Sequence, residues 1–333
     1  MSAVSQGETS LVTPAPPSRT QLPPVRGAPA RRREAARNLL RAARLRKNLP
    51  LLLLVLAGAL LAPRWNWGLL GASLALALVS SAFMTHLNIL TDVELDREKK
   101  PQLWRWLSTD PELMLGLLGL ELGVVLGGVA VLALFAPLPA LGLGLFTLLT
   151  VLYSYNFLRP ARAVASRLKA HWLGHFAVCF GAYLSLWVVG YCSAGQPAQA
   201  DLGSWLPVFC CAALSEYSLF LAESAIDTEE ERRHGLATAA HLLGRRGSSL
   251  AALAVWLAAS GALAAYAAAW LGPGPRERVL IAFGPALLVR GLTAVLLALE
   301  LKRDHALRST LPDAVFWGSR LLTTLTLAVL FFQ

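Results

Sequence analysis

Nine long apolar segments place the strongest constraint on how this chain can fold. A helix needs ~20 apolar residues to cross a bilayer, and stretches of roughly this length recur from residue 49 onwards. They lie at about 49–62, 67–90, 112–135, 137–157, 171–193, 203–224, 247–270, 279–299 and 313–332. The sequence therefore predicts an all-α membrane protein with nine transmembrane helices.

The amino-acid composition agrees with a membrane bundle. Apolar residues make up 56% of the 333 residues and charged residues only 15%, whereas soluble domains are about 45–50% apolar and about 25% charged. The four cysteines lie in or beside apolar segments without a CxxC pair, so they predict neither a disulfide framework nor a zinc site. The composition therefore points away from a soluble globule, and it excludes fibrous, disulfide-rich and wholly disordered classes.

The basic residues are distributed unevenly between the two sides of the predicted bundle. With the N-terminus inside, 25 Lys and Arg side chains fall on the inner side and three on the outer side. This asymmetry follows the positive-inside rule and predicts a cytoplasmic (inner) membrane protein whose N-terminus and long polar loops face the cytoplasm. The net charge of +10 is thereby explained by topology, and we expect no nucleic-acid partner.

The chain before the first apolar segment has two parts. Residues 1–34 are rich in Pro among small polar residues and are expected to form a disordered tail. Residues 35–48 alternate Arg and Lys with Leu at helical spacing, which predicts a basic helix lying on the lipid bilayer surface. Residues 49–333 form the predicted transmembrane domain.

Two columns of oxygen-bearing side chains follow predicted helices 2 and 6. Asn88, Asp92 and Asp96 have the spacing i, i+4, i+8, and Glu223, Asp227 and Glu231 repeat it. Such residues share one face of a helix. Both columns follow an even-numbered helix, so both are expected at the cytoplasmic face, with the chain built from two four-helix units plus a ninth helix. Hard oxygen ligands favour Mg²⁺, and two facing columns would suit a diphosphate bridged by metal ions.

Other polar residues occur inside the predicted spans. Glu216 shares a helix face with Glu223, and for the intramembrane charges we expect buried Glu–Arg pairs or groups that bind an acceptor. His171 and His175 are predicted to be interfacial helix residues rather than a metal pair. His86 is a candidate to support Asn88. The remaining intramembrane charges are Glu121, Arg290 and Arg320.

These patterns resemble the UbiA superfamily of intramembrane prenyltransferases. The run from Asn88 through Asp92 and Asp96 to Lys100-Pro101 is similar to the first aspartate motif of that family. The run from Glu223 through Asp227 and Glu231, with Gly235, Thr238 and Gly244, is similar to the second. Tyr153-Ser154 and Arg167-Leu168-Lys169 resemble elements that follow helix 4 in the family. The resemblance covers about residues 40–332.

The resemblance implies an Mg²⁺-dependent enzyme that ionises an isoprenyl diphosphate and transfers the prenyl group to a small acceptor, with an aromatic one favoured. Two Mg²⁺ ions would be held by the two columns and would bridge the diphosphate. The expected catalytic residues are Asp92, Asp96, Asp227, Lys169 and Tyr153. Further diphosphate-binding residues would be Lys100, Arg97, Arg167 and Arg232.

Several other functions remain to be weighed. A UbiA-type terpene cyclase would use the same metal and diphosphate site without an acceptor, and the sequence does not separate the two. A CDP-alcohol phosphotransferase requires a DGxxAR run, which this chain lacks. A transporter seldom needs two metal-type columns on one face. The prenyltransferase is therefore the leading hypothesis and the cyclase its alternative.

Overall fold

The structure is a computed structural model that describes residues 45–62, 65–92, 111–154, 171–195, 199–224, 238–270, 288, 290–296 and 298–299. These residues form an all-helical assembly. Its seven bounded helices are α1 Leu45–Leu60, α2 Trp67–Thr91, α3 Pro111–Phe135, α4 Pro137–Ser154, α5 Trp172–Ala194, α6 Gln199–Ser224 and α7 Ala239–Trp270. Residues 290–296 are helical as well and are labelled α8.

The observed helices agree with most of the predicted spans, but α7 begins at Ala239, eight residues before the predicted start at 247. Helices α2 and α3 begin and end within one residue of prediction, while α1 begins four residues earlier, at Leu45. Six of the described helices are long and apolar enough to cross a membrane. The predicted ninth helix, most of the eighth and nearly all of the N-terminal tail and basic helix lie outside the described residues, so the count of nine stays a prediction.

Successive helices run antiparallel, which separates the two ends of the bundle. The start of α2 meets the end of α5, where the Asn66 amide donates to the carbonyl of Ala194 at 2.6 Å. At the other end, the hydroxyl of Ser154 on α4 lies 3.4 Å from Oδ1 of Asn88 on α2. We call this second end, which holds Asn88, Asp92 and Ser154, the polar end.

Helices α1 and α5 cross very closely, because glycines remove the side chains between them. A Cβ atom on Gly190 would collide with the backbone carbonyl of Val55, and one on Gly58 with the carbonyl of Trp187. Close approach through small residues is a common way to pack helices in a membrane, where lipid supplies no hydrophobic drive between them. Around the crossing lies the largest apolar cluster, which includes Phe209 of α6.

Helix α2 carries a line of buried polar side chains that bond to three neighbouring helices. Its hydroxyls reach α5, α4 and α1 in turn, one or two helical turns apart. The bonds are Ser193 to Ser73 at 2.7 Å, Thr147 to Ser80 at 3.3 Å, and Thr85 to Asn48 at 3.0 Å. Each partner would otherwise face an apolar surrounding, so these bonds set the rotation of α2 against its neighbours.

The close approach of α1 and α5 makes a stability prediction. Replacing Gly190 by Ala forces the two backbones apart and should lower the free energy of unfolding by at least about 1–3 kcal/mol, the usual cost of overpacking. Thermal unfolding in detergent measures the loss. The matched control is Gly116→Ala on α3, where an added Cβ meets nothing within 4 Å. This variant should leave the unfolding temperature unchanged or raise it slightly. An equal loss of stability in both variants would contradict the close approach of α1 and α5.

Candidate active site at the polar end

The first acidic column begins where α2 ends. Asp92 is the C-terminal cap of the helix, and its backbone N–H donates to the carbonyl of Asn88 at 2.9 Å. The two residues therefore lie one helical turn apart, and both side chains are half-buried. An amide oxygen and a carboxylate oxygen are thus presented together at the polar end, as the spacing predicts.

The last turn of α4 lies beside this column. The hydroxyl of Ser154 is 3.4 Å from the amide oxygen of Asn88, and Ser154 is fully buried. The preceding Tyr153 is half-buried, and its ring centroid is 5.8 Å from that of His175 in the first turn of α5. Helix α4 therefore connects the first column with α5.

A cluster of rings then connects α5 with α6. The imidazole of His175 is stacked on Phe220 with 4.9 Å between centroids and lies 6.0 Å from Tyr217. Phe220 is one turn before Glu223, the first residue of the second column, which lies in the helical backbone of α6. The structure therefore brings the ends of α2, α4 and α6 and the start of α5 to one place.

Most of the remaining predicted site residues lie outside the described residues. Of the six expected metal ligands, Asn88 and Asp92 have described side chains, while Glu223 is described in its backbone alone. Within the described residues, no group of three His, Cys, Asp or Glu side chains could hold a metal ion. The predicted site residues outside them are Asp96, Arg97, Lys100, Arg167, Lys169, Asp227, Glu231 and Arg232.

The end of the second motif has a structural role at the start of α7. The side chain of Thr238 accepts from the amide of His241 at 3.2 Å and so caps the helix. Gly244 then interrupts α7 with φ 67° and ψ 173°, a backbone conformation essentially confined to glycine. Thr238 therefore caps the start of α7, and Gly244 allows the change of backbone direction within it.

An apolar cavity of about 920 Å³ lies at the opposite end of the bundle. It is lined by the start of α2 and the ends of α3 and α5, including Asn66, Phe135 and Gly195. Asn66 and Asn88 are 22 residues apart along α2, about 33 Å at the helical rise of about 1.5 Å per residue. This cavity is therefore separate from the polar end.

The comparison with known proteins decides the family. The model of the UbiA prenyltransferase family matches residues 51–320, most of the chain and both acidic columns. The chain belongs to the UbiA prenyltransferase family. With six described helices able to span a bilayer, it is a multi-pass membrane protein.

Solved structures share the fold of this UbiA-family chain. A UbiA homologue from Aeropyrum pernix K1 superposes with a TM-score of 0.60 at 18% identity, covering 87% of this chain and 98% of its own. A homologue from Archaeoglobus fulgidus, bound to GPP and Mg²⁺, gives 0.59 at 12% identity with 89% and 98% coverage. A structure described as digeranylgeranylglyceryl phosphate synthase gives 0.56 at 16% identity with 90% and 97% coverage. Among curated proteins, none matches the sequence.

In the described part of the UbiA-family bundle, the intramembrane acid on α3 pairs with a histidine. Nδ1 of His86 on α2 lies 2.9 and 3.0 Å from the two carboxylate oxygens of Glu121, and both side chains are buried. Apolar residues at helical spacing, among them Met114, Leu118 and Val125, surround Glu121 on the face of α3 that packs on α2. Within the described residues, the partner of Glu121 is therefore a histidine and not the expected arginine.

Arg290 of α8, farther along the chain, lies in a buried polar network. Its guanidinium donates to Ser260 of α7 at 2.6 Å and to Ser215 of α6 at 2.7 Å, and it lies 4.3 Å above the ring of Trp256. The charge of Glu216 also acts on it. This buried network joins α6, α7 and α8. Arg320 lies outside the described residues.

Sequence reasoning undervalued His175 and missed Phe220. His171 is exposed at the start of α5, as expected of an interfacial residue, but His175 is buried between helices. The sequence contains part of the information, because His175 lies one helical turn after His171 and Phe220 lies one turn before Glu223. Both rings are therefore near predicted helix ends on the same side of the membrane. What the sequence lacks is the contact between α5 and α6, which joins residues 45 positions apart.

The His86–Glu121 pair makes a second stability prediction. Glu121→Ala leaves the buried imidazole without its carboxylate, so the free energy of unfolding should fall by about 1–3 kcal/mol. Glu121→Gln keeps a hydrogen-bond acceptor and should lose less. Unfolding in detergent compares both with Leu120→Ala, whose side chain is exposed on the same helix. A loss at Leu120 as large as at Glu121 would argue against the pair.

Proposed function

We propose that this protein is an Mg²⁺-dependent membrane prenyltransferase. It ionises an isoprenyl diphosphate and transfers the prenyl group to a small acceptor, with an aromatic one favoured. The observation that carries the proposal is the meeting of Asn88 and Asp92 with Tyr153 and Ser154 at the polar end, beside the helix that leads to Glu223. Membership of the UbiA family supports the same chemistry.

The donor atoms at the polar end fit a magnesium site. Asn88 and Asp92 offer hard oxygen atoms one helical turn apart, the ligand type that Mg²⁺ prefers. When bound, Mg²⁺ neutralises the charge of a diphosphate leaving group. The Mg²⁺-bound archaeal homologue of the same fold supports this assignment. The residues proposed to hold two ions are Asn88, Asp92, Asp96, Glu223, Asp227 and Glu231.

The other groups act on the substrate directly. The bond between C1 of the prenyl chain and the diphosphate oxygen breaks, and its electron pair leaves with the diphosphate. The acceptor then bonds to C1 and loses a proton. Tyr153 donates a hydrogen bond to the leaving group, and basic side chains of the motif segments stabilise its charge. Those basic side chains are Arg97, Lys100, Arg167, Lys169 and Arg232.

The aromatic side chains at the polar end suit the other half of the reaction. Tyr153, Tyr217 and Phe220 place three rings around His175, on the helices that carry Ser154 and Glu223. Aromatic faces attract cations, so these rings can stabilise the positive charge that develops on the allylic carbon. Their apolar surfaces also exclude water, which would otherwise capture that carbon.

Loss of either column should abolish the reaction. Asp92→Ala and Asp227→Ala should each lower Mg²⁺-dependent diphosphate release at least about 100-fold, because charge stabilisation of the leaving group is lost. The assay uses purified protein with geranyl, farnesyl and geranylgeranyl diphosphates. Glu112→Ala is the control, since Glu112 is an exposed carboxylate in the first turn of α3, at the same end of the bundle. If the Asp92→Ala and Asp227→Ala variants are folded and keep near-full activity, the assignment of the two columns as metal ligands is wrong.

The products of the same assay separate transferase from cyclase. Release that requires a host small-molecule extract would establish a transferase, and the mass of the product would identify the acceptor. Release without extract, giving a cyclic hydrocarbon or alcohol, would assign the chain to the cyclase alternative.

The proposed orientation places the N-terminus and the polar end at the cytoplasmic side of the inner membrane. It rests on the basic side chains concentrated in the predicted inner loops. Protease added to inverted vesicles should therefore remove an epitope tag at the N-terminus, while right-side-out cells should keep it. Protection in inverted vesicles together with cleavage on intact cells would reverse the topology.

A further inference from the structure

His175 lies at the junction of three helices at the polar end. Its ring centroid is 5.8 Å from that of Tyr153 on α4, 4.9 Å from that of Phe220 and 6.0 Å from that of Tyr217 on α6. All three separations are within the usual range for aromatic pairs. Only 4% of His175 is exposed. The imidazole is therefore a packing partner shared by the helix that carries Tyr153 and the helix that leads to Glu223.

The first turn of α5 holds this ring in place. The His175 amide donates to the carbonyl of His171 at 2.8 Å, so the backbone is already helical at this point. The neighbouring Phe176 packs on Tyr217 with 4.9 Å between centroids. Helix α5 carries neither acidic column. It contributes the side chain that lies between α4, which contacts the first column through Ser154, and α6, which leads to the second.

Tyr153 gains a fixed orientation from such a neighbour. It is half-buried and precedes Ser154, whose hydroxyl contacts Asn88. A hydrogen-bond donor is most effective when it is oriented before the reaction. Displacement of a reacting group by about 1 Å can cost about 100-fold in rate. A ring packed against the phenol restricts its rotamers and so fixes where the hydroxyl points.

We propose that His175 is a positioning residue that holds the Tyr153 hydroxyl against the diphosphate of the substrate. The inference rests on the proposed function, in which Tyr153 donates to that leaving group. His175 acts through its ring, by packing between Tyr153 and Phe220, and does not itself touch the substrate.

A double-mutant cycle tests the proposal. In the full-length protein with geranyl diphosphate and Mg²⁺, His175→Ala should lower kcat for diphosphate release about 10- to 100-fold, the loss expected for one hydrogen bond to a charged group. KM should change far less. Tyr153→Phe should lose a similar amount, and adding His175→Ala to Tyr153→Phe should lower kcat little further, because both changes remove the same interaction.

Two further variants separate positioning from other roles. Trp172→Ala removes an exposed ring from the same first turn of α5, and it should leave kcat close to wild type. His175→Phe keeps the ring but removes its nitrogens, and it should retain most of the activity. Loss in His175→Phe as large as in His175→Ala would show that a nitrogen atom is needed, as a proton acceptor would require, and would overturn the positioning role.

The outcomes distinguish the inference from the proposed function. Independent, multiplicative losses for His175→Ala and Tyr153→Phe would overturn the positioning role, as would a loss for Trp172→Ala equal to that for His175→Ala. If the wild-type protein releases diphosphate and the His175→Ala variant releases it with the same kcat, the positioning role is also overturned. The proposed function then stands. A folded wild-type protein that releases no diphosphate with any isoprenyl diphosphate would overturn the proposed function itself. Thermal unfolding of each variant identifies losses that come from misfolding.

Discussion

A polar side chain inside a membrane bundle must find its partner within the protein, and this constraint organises the helices. Lipid offers no hydrogen bonds, so each buried hydroxyl or carboxylate left alone would cost free energy. Helix α2 meets the constraint with bonds from Ser73, Ser80 and Thr85 to three different helices. The same line of polar residues continues to Asn88 at the polar end. The rotation of α2 that satisfies its hydroxyls therefore also aims the first acidic column.

The charged residues within the spans obey the same rule and join the outer helices to the centre. Glu121 bonds to His86 and so joins α3 to α2. Arg290 bonds to Ser215 and Ser260 and lies over the face of Trp256, which joins α6, α7 and α8. Polar residues in a membrane are often treated as functional candidates, but here burial with direct partners indicates a structural role for both.

Function in this bundle depends on bringing two separate helix ends together. The first column lies at the end of α2 and the second begins at the end of α6, with α4 and α5 between them. The contacts from Asn88 to Ser154, from Tyr153 to His175 and from His175 to Phe220 cross that space. The glycines of the α1–α5 crossing hold the other face of α5 close to α1. The rings at the polar end therefore rest on a helix that is fixed from both sides.

The sequence by itself determined the membrane class, most helix boundaries and the family. These features follow from local information, because hydrophobic length sets the spans, and the spacing of Asn88 and Asp92 sets their stacking on one turn. Only the tertiary structure decided which distant residues meet. Whether Glu121 would pair with Arg or His, and whether His175 would face lipid, water or the α4–α6 junction, depends on helix rotation and closeness. Those are set jointly by many side chains far apart in the chain, so no local pattern encodes them.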